Sequence, residues 1–192
     1  MNKTALKNFA VWARESLINN IKYVAGTKAV TENGICEPLP QSTKDLQLFD
    51  IGTKNYVEIK GAEIAQRNSL VAAIKAKAEE LNNYKAAFQY IVEEVAYTWF
   101  NRMIAIRFME VNGYLPIRVL SSESGKHEPD IVTTPFDAGL EFTGEESGRI
   151  YELRDNNRLE ELFRMLFIRE CNHLHDILPE LFEATNDYSE LL

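Results

Sequence analysis

Three residues in the first third of the chain have side chains that suit metal-assisted hydrolysis. Asp50, Glu58 and Lys60 form a loose Asp…Glu-x-Lys pattern. In a nuclease of this kind the carboxylates hold Mg²⁺ and the lysine helps to activate water. The residue types are common, and a true site needs them on adjoining strands of a sheet. A vestigial Mg²⁺-dependent nuclease is therefore an alternative, beside the simpler interpretation of a solvated loop that leads into a helix.

A second set of metal-binding residue types lies near the end of the chain. Cys171, His173 and His175 form a Cys-x-His-x-His cluster. On a helix Cys171 and His175 share a face, whereas His173 points away. A zinc site also needs at least one more ligand and usually a different spacing. We therefore predict no metal site here, but a helix end with a buried cysteine and histidines that favour the helix dipole.

Basic residues are concentrated at the front of the chain. At 100° per residue, Lys3, Lys7 and Arg14 lie within about 40° of one another on a predicted helix, and Lys22 follows on the same helix. These four residues are candidates for contact with DNA phosphates, which would add affinity that depends on salt and not on sequence. A charged flank beside an apolar face is also typical of an ordinary surface helix.

Four polar residues interrupt the most apolar stretch of the chain: Asn101, Arg102, Arg107 and Glu110. A helix that is apolar nearly all round is normally buried, so its charges must find partners. We predict a structural polar network, in which the arginines pair with Glu110, Glu94 or an acid from a loop. The alternative is that an arginine emerges at the helix end and contacts either DNA phosphate or a catalytic domain that these residues do not include.

The overall charge bounds the function. The 192 residues have a formal net charge of −8, which argues against a dedicated nucleic-acid-binding module. Residues 1–30 contain five lysines and arginines and one acid, whereas residues 113–192 contain seven and seventeen. Any phosphate contact is therefore better sought at the front of the chain. No apolar run approaches about 18 residues, so we predict no membrane contact. The two cysteines, Cys36 and Cys171, favour a cytoplasmic protein.

The elements that position these residues are predicted to be helices. Apolar residues recur at helical spacing over residues 4–25, 62–82, 84–112 and 155–175, the last with Asp155 as its cap. Prolines and glycines make residues 26–60 and 117–150 irregular, with at most a short strand at 56–59 and a last short helix from Leu181. We predict an all-α fold, a single domain over residues 1–192, built around a long central helix at 84–112.

The central stretch also carries a family resemblance. The string AYTWFNRMIAIRFMEVNGYLPIRVLSSE, residues 96–123, resembles the amino-terminal region of the PglX family, the adenine-specific DNA methyltransferases of BREX phage-resistance systems. The similarity is most specific over residues 95–122. It extends more weakly to MNKTALKNFAVWARESLINNIKYVA at the start and to residues 61–70. Members of this family are several times longer, so we expect these residues to be part of a longer protein.

The resemblance implies that the chemistry lies elsewhere in the parent enzyme. An adenine methyltransferase needs a glycine-rich turn for S-adenosylmethionine and an Asn-Pro-Pro-Tyr-like loop for the flipped base. No two prolines are adjacent in this chain, and no such turn follows a strand. We therefore assign no catalytic and no cofactor-binding residue to this segment. S-adenosylmethionine, double-stranded DNA, the downstream methyltransferase domain and other BREX proteins are expected partners of the parent enzyme.

Two functions of different classes follow. The resemblance favours a helical scaffold that supports the methyltransferase domain or contacts DNA or a partner, in an enzyme that methylates adenine N6 and marks host DNA in phage defence. The second hypothesis is a stand-alone helical protein-interaction module, whose acidic back half meets a basic partner.

Overall fold

The structure is a computed structural model that describes residues 2–182. It is mainly helical, with 62% of residues in helices, six α-helices and two small two-stranded sheets within the described residues. The predicted fold class is therefore confirmed. The described residues divide into two compact units, residues 2–100 and residues 101–182, which we call the first and second unit.

Three long helices carry most of the chain up to residue 111. They are α1 (Lys3–Thr27), α2 (Ala62–Leu81) and α3 (Tyr84–Val111), within two residues of the predicted bounds. The side chain of Asn2 caps α1, accepting from the backbone N–H groups of Thr4 and Ala5. Gly113 follows α3 in the left-handed region, with φ of 69°, which explains why this helix ends where it does.

The longest helix, α3, is not buried nearly all round, as its apolar sequence led us to expect. Trp99 and Ile106 are buried on one side of it. The other side is exposed along the whole helix, through Tyr90, Tyr97, Ile104, Phe108 and Val111. The prediction of a fully buried rod was wrong because hydrophobicity alone does not tell a core face from an apolar surface.

Residues 26–60, predicted to be irregular, contain two antiparallel hairpins. The first pairs β1 (Val30–Thr31) with β2 (Gly34–Ile35), and the second pairs β3 (Leu46–Phe49) with β4 (Val57–Lys60). In the second, Leu46 lies opposite Lys60 and Phe49 opposite Val57. Of these four strands, only β4 was predicted, as the short strand at 56–59. Strands of two to four residues are too short for the alternation of apolar and polar side chains to identify them in the sequence.

A buried arginine holds these hairpins to the helices of the first unit. Arg67 on α2 donates from Nε to the carbonyl oxygen of Lys28, 3.0 Å away, and from Nη2 to that of Cys36. Its guanidinium also stacks over the ring of Phe49, with 4.1 Å to the centroid. Lys28 is itself buried and pairs with Glu63 at 3.3 Å. Polar contacts thus satisfy the buried charges at this end of α1.

The second unit contains three further α-helices: α4 (Asp130–Thr133), α5 (Gly144–Asp155) and α6 (Leu159–Ile177). A 3-10 turn at Pro135–Ala138 follows α4. The predicted irregular segment 117–150 is thus partly wrong, since α5 begins within it. Thr143 and Glu146 form a capping box that starts α5 despite Gly144 and Gly148.

The end of α5 corrects one more expectation. Asp155 is the last residue of α5 and does not cap the next helix, and Arg158 occupies the N-cap position of α6. The predicted helix at 155–175 was therefore too early at its start, because Asn157 adopts a left-handed conformation that separates the two helices. The predicted last helix lies mostly outside the described residues. Phe182 is buried in a turn.

Candidate functional site

The front half of α1 presents an apolar surface that nothing in the first unit covers. Leu6, Phe9 and Trp12 are 50%, 45% and 62% exposed. They follow one another every three residues, so they form a continuous ridge on the helix, and the rings of Phe9 and Trp12 lie 6.0 Å apart. We call these three residues the front ridge. Large exposed apolar side chains that cluster in this way are typical of an interaction surface.

An apolar groove lies between α1 and α3 next to the front ridge, with a volume of about 510 Å³. From α1 it is lined by Ala10, one turn after Leu6 on the same side of the helix, and by Arg14, one turn further on. The residues that line it from α3 are Tyr90, Glu93, Glu94, Ala96, Tyr97 and Phe100. We call this feature the α1–α3 groove. Aromatic side chains at the edge of a groove are a common property of protein interfaces.

One ion pair spans the groove. Arg14 pairs with Glu93 at 3.0 Å across it. A hydrogen bond from Gln89, together with the charge of Arg14, lowers the pKa of the Glu93 carboxyl, so it is ionised at neutral pH. The groove therefore offers an apolar floor, one satisfied ion pair and, at its edge, the exposed carboxylate of Glu94.

The predicted basic strip is divided by these contacts. Arg14 pairs with Glu93, and Lys22 lies 3.6 Å from Glu32. Lys3 and Lys7 are exposed, and neither forms an ion pair with any other described residue. Two of the four candidate DNA contacts are therefore engaged by carboxylates, and the two that stay open to a partner lie beside the front ridge.

The candidate polar network is present in part, within the second unit. Arg107 donates to the carboxylate of Glu110 at 2.8 Å, as the sequence predicts, and the side chain of Glu110 is 1% exposed. The same carboxylate accepts from the backbone N–H of Leu120 and, at 3.4 Å, from the hydroxyl of Ser121. The network thus fixes the loop after α3, so its role in the described residues is structural.

The other two members of the proposed network lie apart from this carboxylate. Arg102 is fully buried and lies close enough to Cys171 for its charge to favour the thiolate. Burial of Cys171 has the larger, opposite effect and raises the pKa of its thiol to about 12. Asn101 is half-buried and makes no hydrogen bond to another described side chain. Glu170, which the sequence analysis did not single out, is also buried, and burial raises its pKa to about 7. Arg102, Cys171 and Glu170 thus form a second buried polar cluster.

The three histidine and cysteine residues do not converge. Cys171 is buried and His173 is exposed, as their helical spacing predicts. The Nδ1 atom of His175 instead lies within hydrogen-bonding distance of the carbonyl oxygen of Phe182. Within residues 2–182, no group of three acidic, histidine or cysteine side chains is arranged to hold a metal ion.

The nuclease-like trio lies on the second hairpin. Glu58 and Lys60 are both on β4, and Asp50 follows β3, so the strands do adjoin. The three side chains are nevertheless exposed, Lys60 pairs with Glu58 at 2.9 Å, and Asp50 accepts from the backbone N–H of Gly52. These contacts engage each member of the trio in stabilising the hairpin.

The front ridge and the groove were missed by the sequence analysis. Phe9 and Leu6 belong to the apolar repeat that predicts a helix over residues 4–25, and Tyr97 and Phe100 belong to a helix that we expected to be buried. The sequence feature that distinguishes this end of α1 from a buried helix is the presence of two exposed lysines, Lys3 and Lys7, on its flank. Among the described residues, no helix is both long enough and apolar enough to cross a membrane.

Comparisons with known proteins identify the relatives. The chain is 41% identical, over its full length, to the adenine-specific methyltransferase PglX of Lacticaseibacillus casei (strain Zhang), of which it spans 16%. Over 55% of its length it is 37% identical to the adenine-specific methyltransferase BrxX of Escherichia coli O9:H4 (strain HS), and the match spans 9% of that protein. No protein-family model matches the chain. The chain therefore belongs to the PglX family and corresponds to its amino-terminal region.

Proposed function

We propose that the chain is the helical amino-terminal scaffold of a BREX-type adenine DNA methyltransferase that takes part in phage defence. The observation that carries this proposal is the 41% identity over the full chain to a PglX protein six times its length. In that enzyme a methyl group would pass from S-adenosylmethionine to N6 of adenine in double-stranded DNA.

In this proposal the catalytic domain lies outside these residues. The chain contains no adjacent prolines and no glycine-rich turn after a strand, so it offers neither of the two loops that adenine methylation needs. Its buried polar groups, such as Glu110 and Arg67, hold loops and hairpins in place. The segment therefore supports the rest of the enzyme and has no chemistry of its own.

A chimeric enzyme tests the proposal. This chain is placed in the PglX protein of Lacticaseibacillus casei in exchange for the region that it matches, and transfer of labelled methyl groups from S-adenosylmethionine to adenine is measured. The native PglX protein and a form without the matching region are the controls. We expect the chimera to methylate DNA and the shortened form to be inactive. A folded chimera without activity, or a shortened form as active as the native protein, would contradict the proposal.

A stand-alone protein-interaction module is the second candidate, and the exposed front ridge favours it. The same chimera separates the two candidates. A module with no link to methylation would leave the chimera inactive, while the isolated chain would still be stable and monomeric.

A further inference from the structure

The front half of α1 differs from the remainder of the helix in having no covering layer. Ala13, Ile18, Ile21 and Ala25 are buried, whereas all of residues 2–9 are exposed. The apolar stripe itself does not stop at Ala13. It extends to Phe9 and Leu6, which lie four and seven residues before Ala13 and therefore on the same side of the helix. The stripe is therefore longer than the part of it that the first unit covers.

The α1–α3 groove continues this uncovered surface onto a second helix. Tyr97 is 67% exposed and lines the groove with Phe100 and Ala10. The front ridge and the groove thus form one apolar surface, carried by two helices and open over two turns of α1. Exposing so much apolar surface is unfavourable in water, at about 25 cal/mol for each Å².

The charges around this surface indicate what kind of partner it fits. Lys3 and Lys7 lie on the flank of the ridge and have no carboxylate partner among the described residues. Two acids line the groove from α3, Glu93 and Glu94, and Glu93 is already paired with Arg14. A partner that presents apolar side chains flanked by carboxylates would cover the ridge and neutralise both lysines. A DNA backbone would neutralise the lysines but leave Phe9 and Trp12 in water.

The length of the relatives indicates where such a partner is found. The chain matches 16% of the Lacticaseibacillus casei protein, so most of that protein lies outside the matched region. We propose that the front ridge and the α1–α3 groove are the docking surface for an apolar, acid-flanked segment from the remainder of the same PglX-family protein. This proposal rests on the proposed function, because it takes the chain to be part of such a protein.

Hydroxyl-radical footprinting tests the proposal at single residues. Oxidation rates of Phe9 and Trp12 are compared between the 192-residue chain and the chimera described above. Tyr23, which is exposed on the same helix but outside the ridge, is the internal reference. We expect oxidation of Phe9 and Trp12 to be at least about fivefold slower in the chimera, with Tyr23 unchanged, as for side chains at the dry centre of an interface.

Three results would overturn the proposal. The first is equal oxidation of Phe9 and Trp12 in the two proteins. The second is protection in the isolated chain that grows with protein concentration, which would identify a second copy as the partner. The third is protection that requires DNA, which would assign the surface to nucleic acid.

A pair of variants provides an independent test in the chimera. Phe9→Glu with Trp12→Glu should abolish the protection of Leu6 and Tyr97, whereas the control Tyr23→Glu should leave it intact. Both variants should melt like the parent in the isolated chain, since all three residues are exposed there. Unchanged protection of Leu6 and Tyr97 in the double variant would contradict the assigned surface. An active chimera without protection would refute the docking surface alone, and an inactive chimera with protection would refute only the methyltransferase role.

Discussion

The two ends of α1 place opposite kinds of side chain in unusual surroundings. At the hairpin end, two charged residues, Lys28 and Arg67, are buried. At the other end, three large apolar residues, Leu6, Phe9 and Trp12, are exposed. The buried charges have their partners within the chain: Glu63 for Lys28, and two carbonyl oxygens for Arg67. The exposed apolar residues are not covered by the described residues, although the rings of Phe9 and Trp12 contact each other.

The two ends of α1 therefore differ in role: one stabilises the fold, and the other is available to a partner. A buried charge is tolerated only where hydrogen bonds and ion pairs replace water. The contacts within the chain therefore account for the buried charges at the hairpin end. No contact of this kind offsets the exposure of the apolar front ridge to water, and covering the ridge would lower the free energy. The hairpin end therefore stabilises the fold, and the front of α1 is where a partner is to be sought.

The largest effect on this comparison should come from Arg67→Ala. It removes two hydrogen bonds and the stacking on Phe49, and it leaves the carbonyl groups of Lys28 and Cys36 without this donor. We expect a loss of about 3 kcal/mol in the free energy of unfolding, measured by urea denaturation. Arg67→Lys is the control. It should recover only part of the loss, because an ammonium group cannot reproduce the planar fork of the guanidinium. A loss below about 1 kcal/mol for the alanine variant would show that the hairpin end does not depend on this residue.

An effect of comparable size is expected in the second unit, from the buried carboxyl of Glu170. Burial raises the pKa of its carboxyl to about 7, so the folded state holds this proton more tightly than the unfolded state does. The free energy of unfolding should therefore fall as the pH rises from about 4.5 to about 7, and then level off. Glu170→Gln should remove this fall and stabilise the protein by up to about 3 kcal/mol at pH 8.

The pH range gives this prediction its control. Near pH 3 the carboxyl is protonated in both states, so wild type and Glu170→Gln should have the same stability there. Glu160→Gln, exposed on the same helix, should leave the pH dependence unchanged. Stability curves of wild type and Glu170→Gln that run parallel from pH 4 to pH 8 would refute the shifted pKa.

A smaller loss of stability is expected at the hairpin end, from Tyr84. The hydroxyl of Tyr84 donates to the carbonyl oxygen of Thr31 at 2.7 Å and so joins α3 to β1. Burial raises the pKa of this tyrosine to about 12. Tyr84→Phe should cost about 1 kcal/mol in thermal or urea denaturation. Tyr90→Phe should be neutral, because the Tyr90 hydroxyl makes no hydrogen bond to another described residue. Equal losses in both variants would contradict the role of the Tyr84 hydroxyl.

The smallest effect is expected at the front of α1. Phe9→Ala combined with Trp12→Ala should change the free energy of unfolding of the isolated chain by less than about 0.5 kcal/mol, because neither side chain is packed in the first unit. Calorimetry of the isolated chain checks this. A loss of 2 kcal/mol or more, which is about the cost of emptying a core site, would mean that the ridge is covered within this chain.

The helices and one ion pair could be predicted from the sequence for physical reasons. Helices of 20 to 28 residues repeat their apolar positions often enough for the period to be clear, which is why α1, α2 and α3 lie close to their predicted bounds. Arg107 and Glu110 are three residues apart on one helix, so their contact follows from local geometry.

The rest depends on contacts that local patterns do not contain. The strands of two to four residues are formed by pairing, and α5 is formed by a capping box that outweighs its glycines. Whether an apolar stripe is covered depends on what packs against it, so Leu6 and Phe9 look like core residues in the sequence and are exposed in the structure. The candidate surface became visible only when burial was known.

The most direct test of the central claim is the rate of adenine methylation by the chimera with and without its front ridge. We expect the chimera with this chain to be active. Phe9→Glu with Trp12→Glu should lower its rate at least about tenfold, and Tyr23→Glu should leave the rate unchanged. Equal rates for all three proteins would contradict the claim that this end of α1 joins the scaffold to the rest of a PglX-family methyltransferase.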